Sequence, residues 1–320
     1  MRERIPDALD GERVDRVVAL MTGLPRSTVA EMVAGGAVRL SGRTVTTRST
    51  RVISGGDVDV DVPTPPENSD VPAPEIDVDV VYADDEVIVV DKVAGMVVHP
   101  GSGNPLGTLV QGLLARYPEM GGVGQQGRPG VVHRLDKGTS GLLVVARSAR
   151  AYDSLVAQFA CRTVGRAYLA LVWGCPEPAQ GQVDAPIGRS RREPTRMTVS
   201  SRGREARTGY RVRSCYQLPA ATALLACRLE TGRTHQIRVH LSAIGHPVVG
   251  DARYGGKRDA SGAYVASGAS GASGAFASLE CRRPFLHAEE LSFDHPRTGE
   301  RLSFVSELPA DLRQVLDRLS

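Results

Sequence analysis

The 320-residue sequence predicts an α+β protein with a small domain followed by a large one. Apolar residues make up 41% of the chain and charged residues 23%, a composition that supports buried cores and excludes global disorder. Helical and strand patterns both occur within residues 1–62 and again from residue 77 onward. Between these segments, residues 63–76 contain five prolines, which predicts an extended, acidic linker.

The first segment begins with two predicted helices. Apolar residues recur at helical spacing in the first of them: Val14, Val17, Val18, Met21 and Leu24. The second helix is expected to start near residue 27 or 28, because Thr28 and Glu31 fit a capping box. The pair Gly35-Gly36 ends it.

A hairpin and a strand complete the predicted small domain. Residues 38–40 and 44–46 have strand character and flank Ser41-Gly42, a plausible two-residue turn. After Gly55-Gly56-Asp57, apolar residues alternate at positions 58, 60 and 62, which predicts one more strand.

The second segment mixes both kinds of element. We expect strands at 78–82, 87–90 and 142–146, helices at 106–116 and 149–160, a β-rich region over about 164–250, and a closing helix at about 309–319 with Pro309 in its first position. Residues 259–277 are rich in Gly, Ser and Ala, which predicts a mobile surface insertion without an assigned function.

Charge is distributed unevenly along the chain. The net charge of +3 combines 0 for residues 1–62, −9 for residues 63–91 and +12 for residues 92–320. Only Lys92, Lys137 and Lys257 are lysines, and the other 36 basic residues are arginines. Such a basic body favours a polyanionic partner, although an arginine bias of the genome is the simpler alternative.

Several classes are disfavoured by composition. No apolar run approaches the 18 residues of a membrane span, and the charged N-terminus lacks the apolar core of a secretory signal. The five cysteines are scattered without a Cys-x-x-Cys pair, which argues against a disulfide framework and a zinc site. We therefore expect a soluble cytoplasmic protein with no structural metal.

The most informative stretch is HRLDKGTSG at residues 133–141, which precedes an apolar run. It places Asp136 in a polar, glycine-containing loop, where Arg134 and Lys137 would favour the ionised carboxylate. An ionised, positioned carboxylate can act as a nucleophile or a base. From this stretch alone, Asp136 could equally cap a turn or pair with Arg134.

Two further segments add candidate residues. In residues 230–240, ETGRTHQIRVH, Arg233 is suited to pair with a catalytic carboxylate, or it is one surface arginine among many. In residues 166–174, RAYLALVWG, Tyr168 lies within an alternating strand. That tyrosine can belong to the core, or it can stack on a nucleobase and use its hydroxyl in proton transfer.

Together these blocks resemble the RluA family of pseudouridine synthases. Further similar blocks are DKVAGMVVHP at 91–100, GDARYG at 250–255 and RPFLHA at 283–288. Residues 1–62 resemble an S4-like RNA-binding domain, and 77–320 the catalytic domain. The resemblance implies a mixed, mainly antiparallel sheet in the catalytic domain. One departure is Val93, because the family usually has proline after Asp-Lys.

The resemblance implies that Asp136 is the catalytic carboxylate, that Arg233 pairs with it and that Tyr168 stacks on the uracil. The reaction would isomerise uridine in RNA to pseudouridine after the base flips out of its stack, without cofactor or metal. Whether Asp136 attacks the sugar or removes a proton from it stays open.

The expected partner is structured RNA, most simply large-subunit ribosomal RNA, bound by a monomer. Residues 189–213 hold nine arginines and two glutamates, which predicts a phosphate-binding surface, with a merely solvated face as the alternative. The residues expected to contact RNA are Arg13, Arg16, Arg26, Arg39, Arg134, Lys137, Arg191, Arg192 and Arg196.

Other functions fit less well. A non-catalytic RNA-binding or ribosome-assembly factor on the same fold is the main alternative, and transfer RNA is the alternative substrate. An aspartyl-phosphate reading of residues 136–139 has the wrong residue order, and the glycines at 121–124 lack the Gly-Lys-Ser/Thr of a P-loop.

Overall fold

A computed structural model of the chain describes residues 1–22, 26–61, 71–101, 104–190, 192–193, 195–255, 257–258, 264–265 and 279–320, with only the backbone of residues 26, 27, 257, 258, 264 and 265. The chain divides into two compact units, Met1–Glu67 and Asn68–Ser320. Outside the described part lie Leu24 of the first predicted helix, position 62 of the predicted strand, linker residues 63–70, Arg191, the side chain of Arg26, and the predicted insertion except Tyr264–Val265.

The small unit has two helices over an antiparallel sheet of order β1-β4-β2-β3. Its elements are β1 (Arg2–Arg4), a 3-10 turn (Asp7–Leu9), α1 (Val14–Thr22), α2 (Arg26–Ala34), β2 (Val38–Leu40), β3 (Arg43–Thr44) and β4 (Asp57–Val60). Both predicted helices and the hairpin are confirmed, and its turn residues Ser41 and Gly42 have φ of 46° and 80°. Two positive φ values match the right-handed twist of paired strands, which explains the tight turn.

The large unit is built on one nine-stranded sheet. Its elements are β5 (Val80–Ala83), β6 (Val87–Lys92), α3 (Leu109–Arg116), a 3-10 turn (Pro118–Gly122), β7 (Gly124–Gln125), β8 (Arg128–Pro129), β9 (Ser140–Ala146), α4 (Ala149–Ala160), β10 (Gly165–Trp173), β11 (Gln180–Asp184), β12 (Ile187–Arg189), β13 (Met197–Val199), β14 (Arg207–Tyr216), β15 (Thr222–Leu229), α5 (Gln236–Ala243), β16 (Lys257–Arg258), β17 (Tyr264–Val265), β18 (Leu286–Asp294), β19 (Arg301–Val305) and α6 (Ala310–Leu316). The sheet order is β11-β14-β15-β10-β18-β9-β6-β5, with β19 also on β18. All pairs are antiparallel except β9 with β18, so the predicted α+β class and mixed, mainly antiparallel sheet are confirmed.

The central strands are covered on both faces. All seven residues of β9 are buried; Leu142 and Val144 pack in the α4 core, whereas Leu143 and Val145 pack in the α3 core. In β10 every residue after the first is buried, so the predicted alternation around Tyr168 is wrong. A strand with a core on each side needs apolar residues at successive positions.

Part of the predicted linker belongs to the large unit. The Ala73 amide donates to the Gln111 carbonyl of α3, and a Cβ at Gly112 would come within 2.8 Å of the Ile76 carbonyl. Residues 71–76 therefore dock on α3, which a polyproline linker does not require. At the C-terminal end of the chain Pro309 is the N-cap of α6 rather than its first helical residue.

The parallel pair of β9 and β18 joins two parts of the sheet. Its register pairs His287 with Ser140 and Ala288 with Gly141. Gly141 has φ of 110°, and a Cβ there would collide with the Ala288 backbone, so this close approach requires glycine. At the adjacent pair of the same register, the His287 ring forms a hydrogen bond with Ser140 Oγ at 3.0 Å. These contacts hold the start of β9, four residues after Asp136.

Three expectations from composition concern disulfides, metal sites and membrane-spanning helices. Contrary to the expectation of no disulfide framework, Cys175 and Cys215 form a disulfide that joins the end of β10 to β14. No group of three or more potential metal-ligating side chains occurs among the described residues. In the same part of the chain, no helix has the length and hydropathy of a membrane span.

Candidate active site

A cavity of about 720 Å³ opens on the large unit beside β10 and α5. Asp136, Tyr168 and Arg233 all line it, so residues predicted from three separate blocks meet at one place. Seven arginines also contribute to its lining: Arg128, Arg134, Arg162, Arg166, Arg204, Arg233 and Arg238. Among the described residues of that lining, Asp136 and Glu230 are the acidic ones. The cavity is therefore cationic around a carboxylate.

Asp136 lies in the loop between β8 and β9, which main-chain contacts hold in place. The Thr139 amide donates to the Asp136 carbonyl at 3.0 Å and closes a turn. The Gly95 amide donates to the carbonyl of the next residue, Lys137, and Arg283 donates to Gly138 at 3.2 Å. Because these bonds come from distant segments, the carboxylate has a defined position in the wall of the cavity.

Arg238, one turn into α5, is the ion-pair partner of Asp136. Its Nη1 donates to Asp136 Oδ2 at 2.9 Å, while Nε and Nη2 bind both oxygens of Asp251 at 2.6 and 2.9 Å. Burial opposes the charge of Arg238, but Asp251 and Asp136 outweigh it and raise the guanidinium pKa. One buried cation is thus shared between two carboxylates.

The predicted pairing of Arg233 with Asp136 is wrong. Arg233 donates from Nε to the Glu205 carbonyl at 2.9 Å, and no ion pair joins it to Asp136 although both residues are described. Burial, followed by the charge of Arg204, lowers the Arg233 pKa. Arg233 lines the cavity on the loop that precedes α5, whereas the paired arginine is five residues later on the helix itself.

The loop before α5 is shaped by Gln236. Its Oε1 accepts from Thr231 Oγ1 at 2.7 Å and from the Arg233 amide at 2.9 Å, while Nε2 donates to the Arg207 carbonyl. His235, just before the helix, adopts left-handed φ of 58°. This turn brings His235 Nε2 to 3.9 Å from Asp136 Oδ1.

Tyr254 supports the Asp136 side of the cavity from behind. Its hydroxyl hydrogen-bonds His235 Nδ1 at 2.8 Å and accepts from the Met197 amide at 3.0 Å. The guanidinium carbons of Arg238 and Arg196 lie 5.0 and 5.1 Å from its ring centre. Tyr254 therefore connects the β12–β13 hairpin to the residues around Asp136.

Tyr168 lies in the middle of β10, opposite Cys227 of β15 and Ala288 of β18. It is 5% exposed and lines the cavity. Burial raises the pKa of its phenol, and the nearby Arg166 opposes that rise. A neutral, buried phenol in this wall offers a flat surface for a base and a hydroxyl for hydrogen bonding.

Lys92 fixes the segment in which Val93 departs from the family pattern. Its ammonium donates to the carbonyls of Val93 and Met96 at 2.9 and 3.0 Å. Burial lowers the Lys92 pKa to about 8, and the charge of Asp136 counters that effect. These two hydrogen bonds hold a turn that in this chain lacks the family's proline.

The arginines predicted to bind RNA fall into separate groups. In the small unit, each of three arginines pairs with an acidic neighbour: Arg13 with Asp15, Arg16 with Glu12 and Arg39 with Asp61. In the large unit, Arg134 is exposed in the cavity lining, whereas the Lys137 ammonium donates to Asn104 Oδ1 at 3.2 Å outside that lining.

The described arginines of the segment 189–213 differ in their contacts. Arg192 is exposed, Arg196 packs on Tyr254 and Arg204 lines the cavity. Arg207 and Arg213, on β14, pair with carboxylates. Counting charge along the chain could not separate these roles.

Sequence reasoning missed Arg238, His235, Asp251 and Tyr254, although all four stand in the blocks quoted above. Helical spacing could not find His235, because it precedes α5 in the left-handed region; Arg238 is the second of two arginines in its block. Nothing local in GDARYG indicated that Asp251 and Tyr254 reach α5.

Comparisons with known proteins show which proteins this chain is similar to. Residues 86–243 match the family described as RNA pseudouridylate synthase. The uncharacterized RNA pseudouridine synthase YlyB of Bacillus subtilis is 40% identical over 96% of this chain and 94% of its own length. Ribosomal large subunit pseudouridine synthase D of Xanthomonas campestris pv. campestris is 43% identical over 98% and 91%. The solved structure of human RNA Pseudouridylate Synthase Domain Containing 4 is 26% identical, with a TM-score of 0.58 over 76% of this chain and 94% of that one.

Proposed function

The chain belongs to the RNA pseudouridylate synthase family, and from this premise we propose that it isomerises specific uridines of large-subunit ribosomal RNA, with Asp136 as the catalytic carboxylate. The glycosidic bond from the sugar C1′ to N1 of uracil breaks, and a bond from C1′ to C5 forms. The C5 proton leaves and N1 regains a proton, so the nucleotide keeps its composition. Nothing outside the nucleotide is oxidised or reduced.

The observation that carries the proposal is the Asp136–Arg238 pair at 2.9 Å in the wall of a cationic cavity. The pair holds a charged carboxylate facing space large enough for a flipped nucleotide. Tyr168 lines the same space, and its ring is suited to stack on the uracil while the base turns. Removing a base from its stack costs about a few kcal/mol, and the contacts in this cavity offset that cost.

The ribosomal target rests on the relatives whose names carry it, which match nearly the whole of this chain. The small unit, as an S4-like module, adds a second RNA contact to the catalytic unit. The protein then binds one folded RNA as a monomer in the cytoplasm, through both units. Binding by one unit raises the effective concentration of the other unit at its own RNA site.

The test measures release of tritium from RNA labelled at uracil C5. We expect the wild-type protein to release tritium from 23S-type ribosomal RNA transcripts. Asp136→Asn should release none above background, and Asp153→Asn, an exposed carboxylate on α4, should match the wild type.

Three outcomes separate the alternatives. No release from any ribosomal or transfer RNA by the wild type, with RNA binding retained, would identify a non-catalytic binding factor. Release from transfer RNA alone would keep the reaction and replace the substrate. Equal release by Asp136→Asn would overturn the role of Asp136.

A further inference from the structure

Arg166 is a buried cation on the cavity wall that the reaction described above does not use. It stands two residues before Tyr168 on β10, is 9% exposed and lines the same cavity. Among the described residues, no carboxylate oxygen lies within 4 Å of its guanidinium. A buried charge without a counterion is costly, so its retention calls for an explanation.

The contacts of Arg166 satisfy its flat face but not its edge. The guanidinium carbon lies 5.1 Å from the ring centre of Phe159. Of the N–H groups, Nη2 donates to the Leu229 carbonyl at 3.3 Å, whereas the buried Nε has no hydrogen-bond partner in the described part of the chain. The Nε–H is therefore an unsatisfied donor, on the edge of the guanidinium that can bind carboxylate or phosphate oxygens.

The surroundings keep that edge uncovered. A Cβ at Gly232 would stand 2.9 Å from Arg166 Nη1, so glycine at this position leaves the Nη1 donor, next to the Nε edge, uncovered as well. The neighbouring His133 does not compete as a cation, because burial and the charge of Arg166 lower its pKa to about 3. Neither neighbour supplies a negative charge.

We propose that Arg166 forms a binding site for one backbone phosphodiester of the RNA, at or next to the nucleotide whose base stacks on Tyr168. The inference rests on the proposed function, because RNA is the substrate that brings this anion into the cavity. The phosphodiester supplies the missing counterion and accepts from the unpartnered edge. Arg166 is thus a binding residue that fixes the backbone while the base is detached and turned.

The test combines protein variants with neutral linkages in the RNA. Stem-loop RNAs containing the uridine that the wild type converts are made with one methylphosphonate linkage at successive positions, and affinity is measured by fluorescence anisotropy. We expect one linkage near that uridine to weaken wild-type binding about tenfold, since a charge-assisted hydrogen bond is lost. Arg166→Met, which still packs on Phe159, should bind the unmodified RNA about tenfold more weakly and be indifferent at that linkage.

Two further variants guard against a folding defect. Gly232→Ala keeps the charge but crowds Arg166 Nη1, and it should lose affinity at the same linkage. Arg313→Met, an exposed arginine on α6, should behave like the wild type. For Arg166→Met we expect KM to rise with kcat nearly unchanged, whereas a distorted site would lower kcat.

The inference is overturned if Arg166→Met and the wild type lose the same affinity at every linkage. It is equally overturned if Gly232→Ala binds like the wild type and Arg166→Met is merely less stable. A wild type that forms no pseudouridine would instead refute the proposed function, so the two failures are distinguishable.

Discussion

Two walls of the cavity each contain a buried arginine. The two arginines, Arg238 and Arg166, differ in whether carboxylates neutralise their charge. Arg238 is held by Asp136 and Asp251 with three hydrogen bonds, whereas no carboxylate lies within ion-pairing distance of Arg166 among the described residues. The first guanidinium is committed to the protein and orients a carboxylate. The second has an open donor edge, which suits a charged ligand. Equal burial therefore does not mean equal function.

The histidines follow the same division. Burial, followed by the charges of Arg128 and Arg134, lowers the pKa of His99 to about 4. His235 is half-buried, which lowers its pKa, but the neighbouring charge of Asp136 opposes this effect. Arginines thus add to the effect of burial on the pKa of His99, whereas a carboxylate opposes it at His235.

The largest effect is expected from removal of Arg238, the arginine whose charge is neutralised by carboxylates. Arg238→Met removes the cation from Asp136 and from the fully buried Asp251, which should cost about 3–5 kcal/mol of unfolding free energy although Asp251 still accepts from two main-chain amides. Loss of the positioned carboxylate should lower tritium release by about 10³-fold or more. Urea unfolding and the release assay measure the two effects.

Arg238→Lys is the matched control, since it keeps the charge but loses the forked geometry. It should recover part of the stability and little of the activity. Wild-type stability in Arg238→Met would show that Asp251 does not depend on this pair.

Acid should expose the cost of neutral histidines in a cationic wall. The folded-state pKa of His99, about 4, lies below its usual 6.5, so its stabilising contribution is present above pH 6.5 and is lost as pH falls toward 4. Between pH 7 and pH 5 this group should lower the free energy of unfolding by about 2 kcal/mol.

His99→Gln isolates that contribution, because the other titrating groups stay the same in both proteins. The stability of the variant, measured by urea unfolding at each pH, should fall less steeply than that of the wild type. Parallel curves would mean that His99 titrates normally.

A carboxylate added to the Arg166 side should make the two walls more alike. Val156 is 42% exposed, lies on α4 one turn before Phe159 and lines the cavity. Val156→Glu should weaken RNA binding about fivefold by repelling phosphate, and the loss should shrink in high salt.

Val156→Gln introduces a side chain of nearly the same size as glutamate but without its charge. This variant should bind RNA like the wild type. Equal affinities for the Glu and Gln variants would contradict the view that this wall receives an anion.

The smallest effect is expected from a change at Tyr254, which lies behind the wall that contains Arg238. Tyr254→Phe removes the hydroxyl that bonds His235 and Met197 but keeps the ring between the two arginines. We expect kcat/KM to fall about threefold, in line with the loss of a neutral hydrogen bond. Tyr216→Phe, on β14, is the control, and an equal response in both variants would assign the effect to general destabilisation.

Much of the fold was predictable because local patterns agree with it. The turn at Ser41-Gly42, the helix at 149–160 and the apolar run at 142–146 all have short-range signals. Docking of residues 71–76 on α3 was not predictable, because it requires a residue without a side chain, Gly112, at the point of contact. The strand of Tyr168 was assigned the wrong pattern because the residues that bury its successive side chains come from distant parts of the chain.

The site shows the same limit. Asp136 and Tyr168 were located from their blocks, but the choice between Arg233 and Arg238 depended on where the chain turns into α5. The left-handed residue His235 makes that turn, and the sequence offers no clear signal for it. Likewise, total charge could not show that Arg16 and Arg39 already pair with acidic neighbours.

The position of β18 in the sheet has a consequence for synthesis on the ribosome. It lies between β10 and β9, yet it is among the last strands to be translated. Asp136 is placed by the start of β9 and Tyr168 by β10, so the strand that joins their neighbourhoods emerges about 120 residues after Tyr168. At about 5–20 residues per second, Asp136 and Tyr168 are translated several seconds before their sheet can close. We therefore expect the cavity around them to assemble only when translation is almost finished.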